Sequence, residues 1–369
     1  MKILFVCSAL EPGHDGVGDY SRRLAAALIV QGHDAGLLAI NDKHVSTIIN
    51  GEQKSDGISI LVLRLPSDFS KTDLVKQAKR WVDEFNPDIL SLQFVPFAFH
   101  PKGLKTGLSK TLLTIAGGRP WHIMFHELWV GMAREEPKKL FWWGRLQRVL
   151  ISSLIRNLQP HVVHTQAGLY LAYLQQMGIN TRLLPLFGNI PVIAQNASYN
   201  PNEISIVVFG LIHSGAPVAD FAREAADYSI KHSVTIKLIF VGRCGPEQQR
   251  WVTEWHNCGL PSEILGAQSA EDISKVLSEA TFGVSATATA VIAKSGAAAA
   301  MLEHGLPVFS VSKPWTPRNM DQLPVPDGVI IYQKGDFESC MSHASGKAVG
   351  VNVAAVANQF IEDISKHAK

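Results

Sequence analysis

The sequence predicts an α/β protein of two doubly wound domains facing a central cleft. Three observations carry this expectation. Strand-like and helix-like segments alternate through the first half, the pattern lapses over Leu184 to Glu203, and the same alternation then resumes. Such alternation implies parallel sheets covered on both faces, with ligands at the carboxyl ends of the strands.

In order, Lys2 to Cys7 is a continuous apolar strand, followed by a helix from about Asp19 to Gln31 with Tyr20, Leu24, Ala27 and Leu28 on one face. Leu37 to Ile40 and Ile58 to Leu63 read as strands. Leu74, Ala78, Trp81 and Phe85 recur at helical spacing over Thr72 to Phe85, and Asn86-Pro87 stops that helix. Ile89 to Gln93, His122 to Phe125 and Val162 to Thr165 are further strands, and Leu140 to Leu158 is a long helix. Pro185, Gly188, Pro191 and Pro201 mark the domain boundary, giving an N-terminal domain 1–186 and a C-terminal domain 187–351. In the latter, Ile204 to Phe209, Val234 to Val241, Glu263 to Leu265, Phe282 to Ser285 and Pro307 to Val311 are strands. Helices are expected near Asp220 to Lys231, Glu247 to Asn257, Glu271 to Glu279 and Gly296 to His304, the third announced by the capping pattern from Ser269 to Asp272. A last helix, Val353 to His367 within 352–369, is expected to pack back on the first domain.

With 34 Lys plus Arg against 32 Asp plus Glu, the formal charge of +2 gives no push towards nucleic acid. Cys7, Cys244, Cys258 and Cys340 form no CxxC pair, so they read as small buried side chains of a reducing compartment rather than a disulfide framework or zinc site. The apolar start is too short for a signal-peptide core, and no apolar run is long enough to span a bilayer, which makes the cytoplasm the expected location.

Three segments carry chemistry. The first, Glu11 to Arg23, includes Gly16-Val17-Gly18 and opens a helix, where glycines admit a ligand and helix amides meet an anion. Its distance from the first strand does not fit a dinucleotide fingerprint, and a surface loop is the plain alternative. The second is Ala293 to Val308. Ser295 is a good N-cap, Gly296 and the alanines bring the helix close to the sheet, and Lys294 stands ahead of the positive end of the dipole. Together they suggest a phosphate site, against an Ala-rich packing helix. The third, Met124 to Trp129, puts His126 just past a strand's carboxyl end, where a histidine can exchange a proton near neutral pH, with Glu127 to orient it or meet a hydroxyl. A structural histidine is the alternative. His14, Asp15 and Asp19 are other candidate bases, or turn and cap residues. His161 and His164 lie on opposite faces of a strand, and no HExxH occurs, so no metal site is expected. Lys138 to Arg145 joins positive charge to large aromatics and suits either an anionic membrane surface or inward packing. Gln93 to His100 would wall an acceptor pocket or pack.

The order of these elements resembles glycosyltransferases of the GT-B fold, two Rossmann-like domains, in the retaining group that includes sucrose synthases and bacterial mannosyltransferases. The resemblance spans nearly the whole chain. It rests on the opening strand followed by Gly16-Val17-Gly18-Asp19-Tyr20-Ser21-Arg22-Arg23-Leu24, on Leu265-Gly266 before the Ser269 helix, and on Glu303-His304-Gly305-Leu306-Pro307-Val308. It implies a nucleoside-diphosphate sugar donor held mainly by the second domain, a hydroxyl acceptor (sugar, lipid-linked or small molecule) on the first, and no separate cofactor. By resemblance Gly16 and Gly18 match the diphosphate loop and His126 the histidine near the transferred sugar. Gly266 and Gln268 fall at the nucleobase edge, and Ser295 and Gly296 where backbone amides meet the diphosphate. The family's paired glutamates are replaced by Ile292 and Ala300, with Glu303 as the nearest carboxylate for the ribose. Its Arg and Lys after the first strand of the second domain are absent from Phe209 to Gly215. Lys294, helped by Arg243, is expected to take over their charge. The rival readings are a catalytically degenerate sugar-nucleotide-binding or scaffold protein, and a nucleotide-sugar isomerase using Glu127 with Asp15 or Asp19. A nicotinamide oxidoreductase is disfavoured by the loop spacing.

Overall fold

A computed structural model describes residues 1–193, 202–320, 323–343 and 350–366. The chain divides into two compact units, one of Met1–Pro185 with Val353–Lys369 and one of Leu186–Asn352.

The first unit runs β1 (Lys2–Cys7), α1 (Gly16–Val30), β2 (Asp34–Asp42), β3 (Ile49–Ser55), β4 (Ile58–Pro66), α2 (Lys71–Phe85), β5 (Ile89–Phe94), α3 (Pro96–Phe99), α4 (Leu108–Ala116), β6 (Trp121–Phe125), α5 (Lys138–Leu158), β7 (Val162–Thr165), α6 (Gly168–Gln176) and β8 (Arg182–Leu183). Its eight strands lie in the order β3-β4-β2-β1-β5-β6-β7-β8, parallel except at β3–β4. β1, β5 and β6 are buried along their whole length apart from Lys2, which is why they read as unbroken apolar runs.

β3 is absent from the sequence reading because Ile-Asn-Gly-Glu-Gln-Lys-Ser has no apolar face. It pairs antiparallel with β4 across Asp56-Gly57, both left-handed at φ 48° and 80°, the hairpin turn that twists with its strands. α1 begins at Gly16, before the expected Asp19, because Asp15 caps it. Helices α3, α4 and α6, of four, nine and nine residues, fall where no helix was expected, being too short to show several turns of apolar periodicity.

The second unit contains β9 (Glu203–Phe209), α7 (Val218–His232), β10 (Thr235–Val241), α8 (Gln248–Asn257), β11 (Ser262–Gly266), α9 (Ala270–Glu279), β12 (Phe282–Ser285), a 3-10 turn at Thr289–Lys294, α10 (Gly296–Glu303), β13 (Val308–Ser310), β14 (Val329–Ile331) and α11 (Phe337–His343). Its six strands are all parallel, in the order β11-β10-β9-β12-β13-β14. Phe221, Phe240, Trp251, Trp255, Phe282 and Phe309 are fully buried, each contributing roughly 1.5–3 kcal/mol or more of apolar burial.

The last helix, α12 (Val353–Ser365), packs against the first unit. Phe360 stacks on Phe5 with ring centres 5.9 Å apart, and Gln31 Nε2 donates to the Ala354 carbonyl at 3.0 Å. His367, at the end of the expected helix, lies outside the described residues.

Candidate functional site

Open parallel sheets bind ligands where the chain order reverses, beyond the carboxyl ends of the strands. Each unit has one such point: between β1 and β5 in the first, and between β9 and β12 in the second.

In the first unit, His126 directly follows β6, Gln93 lies on β5 and Gln166 follows β7. The imidazole is only 7% exposed. Its Nε2 lies 2.8 Å from Gln93 Oε1, its Nδ1 lies 3.1 Å from Gln166 Nε2, and Tyr20 on α1 packs against it with ring centres 4.9 Å apart. Burial pushes its pKa down to about 3. In this burial the ring is neutral at pH 7, and in that form it is hydrogen-bonded to Gln93 and Gln166. Glu127, the next residue, is half-buried.

The glycine segment is organised by its own carboxylates. Asp15 accepts the amides of Val17 at 2.9 Å and Gly18 at 3.1 Å. Asp19 accepts the Gly13 amide at 3.1 Å and pairs with Arg22, which also donates to the Leu10 carbonyl at 2.7 Å. Gly18 is glycine for packing: a Cβ there would stand 2.9 Å from the Ala9 carbonyl oxygen. The expectation of open helix amides at Val17 and Gly18 is thus corrected, since an internal carboxylate holds both. A Cβ at Gly16 would meet nothing within 4 Å.

In the second unit, β9, β10 and β11 lead into Gly210, Gly242 and Gly266, all at positive φ. The Gly210 amide donates to the Val241 carbonyl at 3.1 Å and the Gly242 amide to the Gly266 carbonyl at 2.7 Å. A Cβ on Gly210 would lie 3.6 Å from the Ala297 methyl, so the loop after β9 runs beside the first turn of α10. Ser295 caps α10, its Oγ accepting the Ala298 amide at 3.3 Å, with Gly296 as the first helical residue. Lys294, half-buried, ends the 3-10 turn immediately before. Desolvation, then Lys294, then Lys313 hold His213 below its ordinary range. Lys313 follows β13, and the loop after β9 reaches its stem: a Cβ on Gly215 would lie 3.3 Å from Lys313 Cδ. Lys294 and Lys313 thus lie close enough to His213 to act on its charge, on segments that follow β12, β13 and β9.

The sequence reading named Lys294 here and missed His213 and Lys313. The signal for His213 lay in Phe209 to Gly215, read only for the Arg and Lys it lacks. Arg243 is exposed just past β10. Gln268 folds back, its Nε2 donating to the Leu265 carbonyl at 2.6 Å. Glu303 accepts the Gly188 amide at 2.8 Å, and a Cβ on Gly188 would come within 2.7 Å of the Ala300 Cα, so the carboxylate pins the start of this unit onto α10. Ile292 and Ala300 lie in the apolar core, which explains the absence of carboxylates at those positions.

Phe94 and Phe99 stack with centres 6.1 Å apart and line a cavity of about 50 Å³ with residues of α4 and α5. Among the described residues no three His, Cys, Asp or Glu side chains are grouped to hold a metal ion, and no helix is long and apolar enough to cross a membrane. Cys7, Cys244 and Cys340 are buried thiols whose pKa burial raises.

No family model and no curated protein matches the chain. Solved structures do. Anabaena HepE, determined with UDP and glucose, is 16% identical, covers 99% of this chain with 100% of its own, and superposes with a TM-score of 0.56. The catalytic domain of Arabidopsis thaliana starch synthase IV, bound to ADP and acarbose, is 10% identical over 100% and 99% of the two chains, with a TM-score of 0.59. A putative UDP-N-acetylglucosamine 2-epimerase from Listeria monocytogenes is 12% identical over 100% and 96%, with a TM-score of 0.55. The chain has the GT-B fold that glycosyltransferases share with these epimerases.

Proposed function

We propose that this protein is a glycosyltransferase that takes a sugar from a nucleoside-diphosphate sugar and joins it to a hydroxyl acceptor. The observation that carries the reading is the convergence of His213, Lys294 and Lys313 at the reversal of the second sheet, beside the Ser295-capped start of α10. A diphosphate bound there would meet this positive charge with its own negative charge. A lysine–phosphate pair at ~4 Å in an effective dielectric of ~20 gains about 4 kcal/mol per unit charge before desolvation. In the transfer, the bond from the sugar's anomeric carbon to the diphosphate oxygen breaks, and charge grows on that oxygen. The cluster is preorganised for this charge, which is where electrostatic catalysis acts. The acceptor oxygen bonds to the anomeric carbon, and its proton leaves with the diphosphate or to solvent. By this reading the charge is carried without a metal, and retention of configuration is what the resemblance implies. In this reading the hydroxyl-bearing ligand meets the first unit at Glu127, half-buried next to the buried His126–Gln166 pair.

The proposal is tested by incubating the protein with UDP-, GDP-, ADP- and dTDP-sugars and measuring release of the nucleoside diphosphate. Release from one of them, rising with an acceptor, supports transfer. Conversion of the sugar with no diphosphate released would instead establish the isomerase. That alternative has support in the epimerases among the matching structures. Its candidate carboxylates Asp15 and Asp19 are, however, already engaged with helix amides and Arg22. Binding without turnover of any donor would establish the scaffold.

A cytoplasmic location with peripheral contact near Lys138–Arg145 belongs to the same proposal. Trp142, Leu146 and Val149 on α5 are 62%, 59% and 65% exposed, on one face of the helix. Arg145 lies over the Trp142 ring at 5.4 Å. The 21 residues of α5 include Lys138, Lys139, Arg145, Arg148 and Arg156 and no carboxylate. Basic residues around exposed aromatics suit an anionic bilayer surface. Sedimentation with vesicles containing phosphatidylglycerol, but not with pure phosphatidylcholine, is expected; failure of W142A to weaken it would remove α5 from the contact.

A further inference from the structure

A series of buried hydrogen bonds joins His126 to the C-terminal helix. Gln166 Nε2 lies 3.1 Å from His126 Nδ1, and His126 Nε2 lies 2.8 Å from Gln93 Oε1. Gln93 Nε2 donates to Ser91 Oγ at 2.7 Å, and Ser91 Oγ lies 2.7 Å from His122 Nδ1. His122 Nε2 is 3.0 Å from His164 Nδ1, and His164 Nε2 is 3.1 Å from Asp363 Oδ2. The other oxygen of Asp363 takes Arg182 Nη1 at 2.5 Å. Ser91, Gln93, His122, His126, His164, Gln166 and Asp363 are all buried.

The anion at one end dictates every proton in the series. A carboxylate only accepts, so His164 carries its proton on Nε2 and leaves Nδ1 bare. His122 must then donate from Nε2, which leaves its own Nδ1 bare and calls for the Ser91 hydroxyl proton. That proton being spent, Ser91 Oγ can only accept from Gln93, whose amide is oriented with its oxygen towards His126. His126 therefore carries its proton on Nε2 and offers Nδ1 as an acceptor. Burial disfavours the imidazolium form of all three histidines, which keeps the series neutral up to Asp363.

We propose that Asp363 is a positioning residue for His126, fixing it as the Nε2–H tautomer through His164, His122, Ser91 and Gln93. The functional consequence rests on His126 belonging to the site: Nδ1 is then an acceptor and never a donor, satisfied in the free protein by the Gln166 amide, so that a ligand hydroxyl reaches it only by displacing that amide. The sequence places the controlling carboxylate near the end of the chain, far from the histidine that it sets.

Asp363→Asn makes a specific prediction. Arg182 is a pure donor, so the new amide must turn its oxygen to Arg182 and its NH2 to His164 Nε2. His164 and His122 then need their protons on Nδ1. In the proposed reversal Ser91 accepts from His122 and gives its own proton to the oxygen of a flipped Gln93 rather than accepting twice, so that His126 ends protonated on Nδ1 towards a flipped Gln166. The experiment is long-range 1H–15N correlation NMR on ligand-free protein labelled at histidine nitrogen, with His126 assigned from His126→Gln. The expected result is Nε2–H for His122, His126 and His164 in the wild-type protein, and Nδ1–H for all three in Asp363→Asn. In Ser91→Ala/Asp363→Asn the reversal should reach His164 and His122 and stop before His126, which a merely structural role would not produce. An unchanged His126 tautomer in folded Asp363→Asn would overturn the proposal. Should that variant not fold, the wild-type spectrum decides, since a proton on Nδ1 of any of the three overturns it. Because the readout needs no donor, it stands or falls apart from the glycosyltransferase reading.

Discussion

The ammonium group of Lys294 bears on the imidazole of His213 and, after desolvation and ahead of Lys313, holds it below its ordinary range. A bound diphosphate beside the ring reverses that effect and raises the His213 pKa. The complex then holds a proton that the free protein lacks, so affinity should increase as pH falls through the window below about 6.5. Phosphate loses its own second charge near pH ≈ 6, which works in the opposite direction. The comparison with His213→Gln isolates the protein's share. Calorimetric titration of UDP or another bound diphosphate at pH 7.5, 6.5 and 5.5 should show proton uptake in the wild-type protein and less in the variant. Equal uptake in both would remove His213 from the site.

Lys294→Ala should raise the donor Kd by ~10 to 100-fold, or ~1.4–2.8 kcal/mol. Lys313→Ala, at an exposed position, should raise it less. Both effects should shrink as salt is added, because the charges are partly exposed. Donor binding unchanged in Lys294→Ala would show that this lysine does not carry the phosphate charge.

Asp15 caps α1 through Val17 and Gly18. Asp15→Ala should therefore lower the unfolding free energy by about 1 kcal/mol, while Asp15→Asn should lose less. Urea unfolding decides it. A cap whose removal costs nothing would show that its carboxylate is held for another purpose.

His122, His126 and His164 are buried, and desolvation holds all three below the ordinary histidine range, His126 to about 3. The unfolded chain binds protons at these side chains near pH 6.5, and the folded one does not. Stability should fall as pH drops below 6.5, by ~1.4 kcal/mol per pH unit for His126 towards pH 3, with His122 and His164 acting in the same direction. Urea unfolding at pH 7 and pH 5 should show this loss, with a shallower slope for His126→Gln. A stability flat across that range would contradict neutral burial.

The strands were legible where burial on both faces made continuous apolar runs, as in β1, β5 and β12. β3 was not, because one sheet edge carries a polar strand whose only signal is Asp56-Gly57. Lys294 and Ser295 were legible because a cap and a preceding cation sit side by side in sequence. His213 and Lys313 were not, because only the parallel order of β9, β12 and β13 brings their loops together. The same holds for Asp363, which meets His164 across 199 positions of sequence. Capping by Asp15 was open to sequence reasoning as a local pattern, yet it competed with an anion-binding reading of the same glycines.

The most direct test is isothermal titration of UDP, GDP, ADP and dTDP into the wild-type protein and into Lys294→Ala/Lys313→Ala. One diphosphate should bind the wild-type chain and lose at least ~100-fold in affinity, or ~2.8 kcal/mol, in the double variant. Binding of equal strength in both proteins, or no binding of any diphosphate to the wild-type chain, would contradict the assignment of the second unit as the donor site.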